Sequence, residues 1–273
     1  PEGIFLPKDP GEYEKDVLRM KELGFNMIRK HVKVEPEQFY YACDKHGMLV
    51  LQDMVNNGGY HYILDTVIPT LGGVYRYDKW PFYEKRKEFF LKHSLGIVKH
   101  VKSHPCVIGY TIFNEGWGQF HADDMYELIK EADPNRLVDA TSGWFMQSKS
   151  DFNSVHIYFR NQVLPKTKKP LFLSECGGYV REMEGHLFHG KKSYGYGKAQ
   201  DLSSFMDKIE KLYNEMVFPS IQNGLVGLVY TQLCDVETEM NGLYTYDRTV
   251  CKVDKDKMRT LSQKCKDLYL TNK

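Results

Sequence analysis

The sequence predicts an α/β fold: a (β/α)8 TIM barrel that contributes seven of its eight strands. Three observations lead there. Short continuous apolar runs recur along the chain, amphipathic helical patterns lie between them, and no Gly-rich phosphate loop follows any run. Strands of that kind, alternating with helices, indicate a parallel sheet covered on both faces. A nucleotide-binding doubly wound sheet would carry GxGxxG or a Walker-type loop after a strand, so the barrel fits better. A closed barrel requires eight strands.

Each element follows in order. "PEGIFLPKDP" reads as a chain entered in mid-domain. A helix comes next, with Tyr13, Val17 and Met20 on one face and Gly24 as its stop. The strand "GFNMIR" (Gly24–Arg29) follows, so the missing first strand is expected just upstream of Pro1. Residues 1–273 would then be a single, partial barrel domain. The next helix takes Pro36 in its first turn and closes at Gly47, before the strand "MLVLQD" (Met48–Asp53). Phe90, Ile97 and Val101 share one face of a helix over Glu84–Lys102, ahead of "CVIGYTIF" (Cys106–Phe113). The runs "RLVDAT" (Arg136–Thr141), "SVHIY" (Ser154–Tyr158) and "PLFLSE" (Pro170–Glu175) are strands. Leu202, Phe205, Ile209, Leu212 and Met216 keep helical spacing along Asp201–Val217, and "GLVGLVYT" (Gly224–Thr231) is the last strand. Met258, Leu261, Cys265 and Leu268 mark a C-terminal helix. Two long loops, Asn56–Phe82 and Gly177–Lys198, follow strands and would extend from the catalytic face, as lids or plain surface loops. Both are glycine-rich (Gly58, Gly59, Gly72 and Gly73; Gly177, Gly178, Gly190, Gly195 and Gly197).

Composition narrows the chemistry. With 273 residues and 42% hydrophobic content, a sizeable core is affordable. A net charge of +1 gives no reason to expect a nucleic acid or an anionic membrane as partner. No apolar run approaches the ~18–20 residues of a membrane span, and no signal-peptide pattern opens the chain, which favours the cytoplasm. The six cysteines (Cys43, Cys106, Cys176, Cys234, Cys251 and Cys265) lack CxxC spacing and read as reduced thiols in a reducing compartment. No cofactor and no metal are expected. His186 and His189, in "GHLFHG", lack a third convincing ligand and read as loop residues. The aromatic content of 14%, including 19 tyrosines, is compatible with a carbohydrate site.

Two strands end on a glutamate, "TIFNEG" at Glu115 and "LFLSEC" at Glu175. An apolar strand that ends on a charge costs free energy unless the charge is solvated, paired or used. In a parallel barrel both strand ends open on one face. Paired carboxylates there suit glycoside hydrolysis, in which one donates a proton to the leaving oxygen and the other attacks or activates water.

The ordered set "GFNMIRKH", "FYYACDKHGMLVLQDM", "HPCVIGYTIFNEG", "DPNRLVDATSGW", "HIY", "KPLFLSECGGY" and "GLVYTQLCDVE" resembles the catalytic barrel of glycoside hydrolase family 2. That family contains β-galactosidases, β-glucuronidases and β-mannosidases. The resemblance runs from about Asp16 to Arg248 and implies a retaining double displacement on terminal β-linked sugars. Glu115 would be the acid/base and Glu175 the nucleophile, with the two carboxyl groups ~5–5.5 Å apart. It further implies Asn114 as partner of the sugar 2-hydroxyl, Tyr158 as hydrogen-bond donor to the nucleophile, and Arg29 as a holder of the nucleophile side. Trp117 and Trp144 follow strand tips and can stack on pyranose faces. His31, His156, Asp53, Gln232 and Asp235, also near strand ends, are candidates for hydroxyl binding. The family's upstream β-sandwich domains are absent from the chain, and any homo-oligomer would use them. The NxK signature of β-glucuronidases is missing, and β-galactosidase-like specificity is favoured, although "ECGGY" lacks a histidine that well-known β-galactosidases carry nearby. The alternative is a truncated or degenerate barrel that binds carbohydrate without turnover. A metal-dependent barrel hydrolase is a third, less favoured reading.

Overall fold

A computed structural model describes residues 6–56, 62, 63, 67, 84–188 and 193–272. Pro1–Phe5, most of the 56–82 loop with its four glycines, His189 and Gly190 lie outside the described residues. The elements, in chain order, are α1 (Gly11–Glu22), β1 (Met27–Lys30), α2 (Glu37–His46), β2 (Leu49–Asp53), α3 (Glu84–Val101), β3 (Val107–Asn114) and α4 (Ala122–Ala132). They continue as β4 (Leu137–Ser142), β5 (Asn153–Ile157), β6 (Leu171–Gly177), α5 (Leu202–Leu212), a π-turn (Tyr213–Val217), α6 (Phe218–Gln222), β7 (Leu225–Thr231) and α7 (Lys255–Thr271). The strands form a four-stranded sheet in the order β1-β2-β3-β4 and a three-stranded sheet in the order β5-β6-β7. The chain divides into two compact units, one of Gly3–Val17 with Asn26–Val155, the other of Leu18–Phe25 with His156–Lys273.

In the first unit all the pairings are parallel, Met27 opposite Leu49, Gln52 opposite Tyr110 and Asn114 opposite Ser142. Val50, Leu51, Val107, Tyr110, Ile112, Phe113, Val138 and Ala140 are buried on these strands. Phe90 of α3 stacks on Phe113 at 5.2 Å, and Phe120 meets both rings edge-on. Ile97 and Val101 are buried on the same face of α3, as the 3–4 spacing requires. Helix α2 ends at Gly47, whose φ of 62° is the left-handed conformation that terminates helices. Pro36 sits one position earlier than its first-turn reading, at the N-cap.

Gly109 marks the tightest contact in that sheet. A Cβ there would lie 2.6 Å from the Leu137 carbonyl oxygen on the neighbouring strand. Backbone cannot step aside as a flexible side chain can, so Gly109→Ala is expected to destabilise the protein by about 1–3 kcal/mol, measured as a lowered urea midpoint with unchanged slope.

In the second unit β6 runs parallel to β7, Leu171 opposite Leu225 and Gly177 opposite Thr231. Phe205, Ile209 and Leu212 of α5 are buried with Met216 and Tyr213, and Met258 and Leu261 of α7 complete this core. Leu202 departs from the expected stripe and is 42% exposed, because it is the first residue of the helix, within the Asp201–Ser204 capping box. The helical run also continues past Val217. The π-turn places Pro219 in the first turn of α6, where a missing N–H is tolerated, and the run ends at Gln222. Ser262 of α7 donates to the Gly24 carbonyl at 3.0 Å, and Lys255 pairs with Glu22 at 2.8 Å.

Candidate active site

The first unit holds one half of the candidate residues. Glu115 follows the last residue of β3, and its N–H donates to the Ser142 carbonyl at the end of β4 at 2.9 Å. Its φ is +52°, a conformation rare for any residue with a β-carbon, and such strain concentrates at functional sites. The turn is tight. Trp117 N–H bonds back to the Asn114 carbonyl at 2.9 Å, and a Cβ on Gly116 would lie 2.2 Å from the Phe145 ring. The carboxylate at the strand end is thus aimed by backbone, not by a flexible loop. Trp117 and Trp144 are both partly buried on the turns after β3 and β4.

Beneath this turn lies a polar cluster in which Arg29, Asp53 and Asn114 are buried and His31 is half-exposed. Arg29, at the end of β1, grips Asp53 at the end of β2 with a two-point fork, Nε to Oδ1 and Nη2 to Oδ2, each at 2.9 Å. The same Nη2 donates to Asn114 Oδ1 at 2.8 Å. His31 places Nδ1 2.9 Å from Asp53 Oδ2. Burial alone would raise the Asp53 carboxyl. The Arg29 charge and the hydrogen bonds from His31 and Arg29 prevail and hold it down at about 2. The sequence suggested a bidentate role for Arg29, and the carboxylate in its fork is Asp53, itself a candidate for hydroxyl binding. A guanidinium only donates, so its bond to Asn114 fixes which end of that amide is oxygen. Asn114 therefore has Nδ2 as the group to offer a ligand.

The second unit holds the other half. Glu175 lies in β6, its side chain 14% exposed. Tyr158, just past β5, donates its hydroxyl proton to Glu175 Oε2. That proton is single, so the 3.0 Å contact between Tyr158 Oη and Thr231 Oγ1 has Thr231 as donor. His156 Nδ1 stands 3.5 Å from the same Glu175 oxygen, and its side chain is almost fully buried. Thr231 and Gln232 are joined by a cis peptide bond. Gln232 spends its Nε2 on Glu239 at 2.9 Å and Asn241 at 2.8 Å.

Two candidates serve elsewhere. Asp235 is buried against Lys252 at 2.6 Å and accepts from Gly242 N–H at 2.8 Å. Burial raises the Asp235 carboxyl and lowers the Lys252 ammonium, which also donates to two main-chain carbonyls. His186 bonds Asp247 at 2.7 Å and Thr249 at 3.0 Å. Sequence reasoning did not single out Thr231 or Tyr196, whose ring stacks on Tyr158 at 4.1 Å and 15°. For Tyr196 the one hint was the glycine enrichment of its loop.

The scaffold is parallel α/β and carries a glutamate at two strand ends, and comparison with known proteins supplies the family. Residues 9–261 match the model of "Glycosyl hydrolases family 2, TIM barrel domain". The chain belongs to that family and carries its TIM-barrel fold. It is 23% identical to the β-galactosidase of Vibrio cholerae over 235 residues, which is 80% of this chain and 20% of that protein. It is 34% identical to the β-galactosidase of Aeromonas hydrophila over 137 residues, 49% of this chain and 12% of that protein. Among solved structures it is similar to the β-D-glucuronidase of Dictyoglomus thermophilum, with a TM-score of 0.61 and 16% identity over 94% of this chain and 47% of that one. The chain therefore spans about a fifth or less of the curated relatives and about half of the structural one. Among the described residues no helix is long and apolar enough to cross a membrane.

Proposed function

We propose that this chain is the catalytic barrel of a retaining, exo-acting β-glycosidase, with a β-galactoside as the favoured substrate. The observation that carries this reading is the hydrogen bond from Tyr158 to Glu175. A carboxylate that accepts a phenolic proton is held ionised and in one orientation, as a nucleophile must be.

Glu175 attacks the anomeric carbon while Glu115 protonates the departing oxygen, leaving a glycosyl ester on Glu175. Glu115, now a base, takes a proton from water, which attacks the same carbon and releases the sugar with its configuration retained. That sequence requires the carboxyl groups ~5–5.5 Å apart. Asn114, oriented by Arg29, donates through Nδ2 to the 2-hydroxyl, an interaction that strengthens as the oxocarbenium character develops. The names of the curated relatives support galactose, and the missing NxK signature argues against a glucuronide. An intracellular enzyme on a soluble carbohydrate is the setting that fits composition.

The test is hydrolysis of nitrophenyl β-galactoside, β-glucuronide, β-mannoside and β-glucoside. Turnover of at least one is expected, and Glu175→Gln should remove it. Failure on all four would overturn the reading and favour the non-hydrolysing alternative.

A further inference from the structure

An aromatic row leads outward from Glu175 within the second unit. Tyr158, which donates to Glu175, is covered by the Tyr196 ring at 4.1 Å. Phe159 meets Tyr196 edge-on at 4.9 Å and 86°, and Tyr194 meets it at 5.9 Å with the two hydroxyls 3.3 Å apart. Phe159 is 90% exposed and Tyr194 55%. A single exposed phenylalanine needs no explanation, but this one belongs to a row that the backbone holds in place.

The returning loop is clamped on both sides. Tyr196 N–H donates to the Gly178 carbonyl at 2.7 Å and Val180 N–H to Gly197 at 3.1 Å. Tyr194 N–H donates to Thr238 at 2.8 Å, and Met240 N–H returns a bond to Tyr194 at 3.3 Å. Gly178 has φ +66°, and a Cβ on it would stand 2.7 Å from Tyr196 and 3.2 Å from Tyr158. The absence of a side chain at 178 is what allows the two rings to stack.

We propose that Phe159 and Tyr194, supported by Tyr196, form a leaving-group subsite for glycosides whose aglycone presents a flat apolar face. An aryl ring and the C–H face of a second pyranose share that chemistry. The inference rests on the glycosidase reading above and names the substrate class of the same site. The sugar that Glu175 attacks lies against its carboxylate. An exo-acting enzyme holds one terminal sugar there, so the group joined to that sugar is the part of the substrate that extends outward towards the exposed Phe159 and Tyr194. A flat face laid on Phe159 removes apolar surface from water on both partners and adds ring-to-ring contact.

Phenyl, glycosyl and methyl 1-thio-β-glycosides of galactose, glucose, mannose and glucuronic acid resist hydrolysis and report binding without turnover. Titration calorimetry on the full chain is expected to show phenyl compounds binding more tightly than methyl ones. Phe159→Ala should reduce that phenyl-to-methyl ratio about tenfold, and Phe159→Trp should preserve it. Because Phe159 is exposed, truncation leaves the fold intact. If the thiodisaccharide loses affinity while the phenyl compound does not, or the reverse, the subsite is assigned to the source that responds. The proposal is overturned if Phe159→Ala leaves both the phenyl-to-methyl and the glycosyl-to-methyl ratios unchanged, if all three compounds lose affinity equally, or if neither the phenyl nor the glycosyl thioglycosides bind. Failure of the underlying reading is a different result: no β-glycoside is turned over in a Glu175-dependent way.

Discussion

Glu175→Gly is expected to lose at least about 10⁴-fold in kcat, about 5.5 kcal/mol of transition-state stabilisation, and to regain turnover of an activated aryl β-glycoside when azide is added. The small anion enters the space left by the carboxylate and attacks the anomeric carbon from the nucleophile's side. The product is then the glycosyl azide of inverted configuration, identified by the anomeric coupling constant in its NMR spectrum. Glu115→Gly gives the opposite stereochemistry. There the glycosyl ester on Glu175 still forms from a good leaving group, azide displaces it from the other face, and the azide retains the original configuration. Two inverted products, or rescue of neither variant, would remove the double displacement and the role assignment with it.

Asp53→Asn is expected to cost about 3–5 kcal/mol of stability at neutral pH, because it breaks a buried ion pair that the Arg29 guanidinium holds at two points. Both side chains of the pair are only 2% exposed, so water cannot replace the lost partner. The pH dependence has a definite sign. The Asp53 carboxyl falls from the usual 3.8 to about 2 on folding. Its contribution is therefore complete above pH 4–5 and is lost as pH falls through about 2. Urea unfolding of the two proteins should show a gap that is widest near pH 7 and narrows towards pH 2. A gap that does not change with pH would mean that Asp53 contributes by packing alone. Activity should fall too, because the same guanidinium orients Asn114.

Strands such as β3 and β6 were readable because their apolar runs are buried on both faces, which leaves little room for polar alternation. Helix α4 was harder to see. Its buried positions are Ala122, Met125 and Ile129, and Asp123, Asp124, Glu127 and Glu131 interrupt them with charge. The continuation through the π-turn was hidden by Pro219, which ordinarily signals a stop. In the site, strand-end residues with a distinctive type (Arg29, Asn114, Glu115, Glu175) stood out one by one. Their pairing did not, because Arg29 and Asp53 are 24 residues apart and nothing local says which carboxylate enters the fork. Tyr196 is placed by ring contacts and by the hydrogen bonds of its loop, and one tyrosine among 19 gives no sequence signal of that kind.

Under the mechanism proposed above, the left-handed backbone at Glu115 sets activity against robustness. At that φ every residue with a β-carbon is penalised, and glycine is the residue the turn itself prefers. Selection for stability alone would drift position 115 towards glycine, whereas the acid/base role proposed above requires the carboxylate. A library screened only for folding would therefore be enriched in inactive proteins at this position. Anyone engineering this chain for heat resistance should keep 115 fixed and look for gains elsewhere.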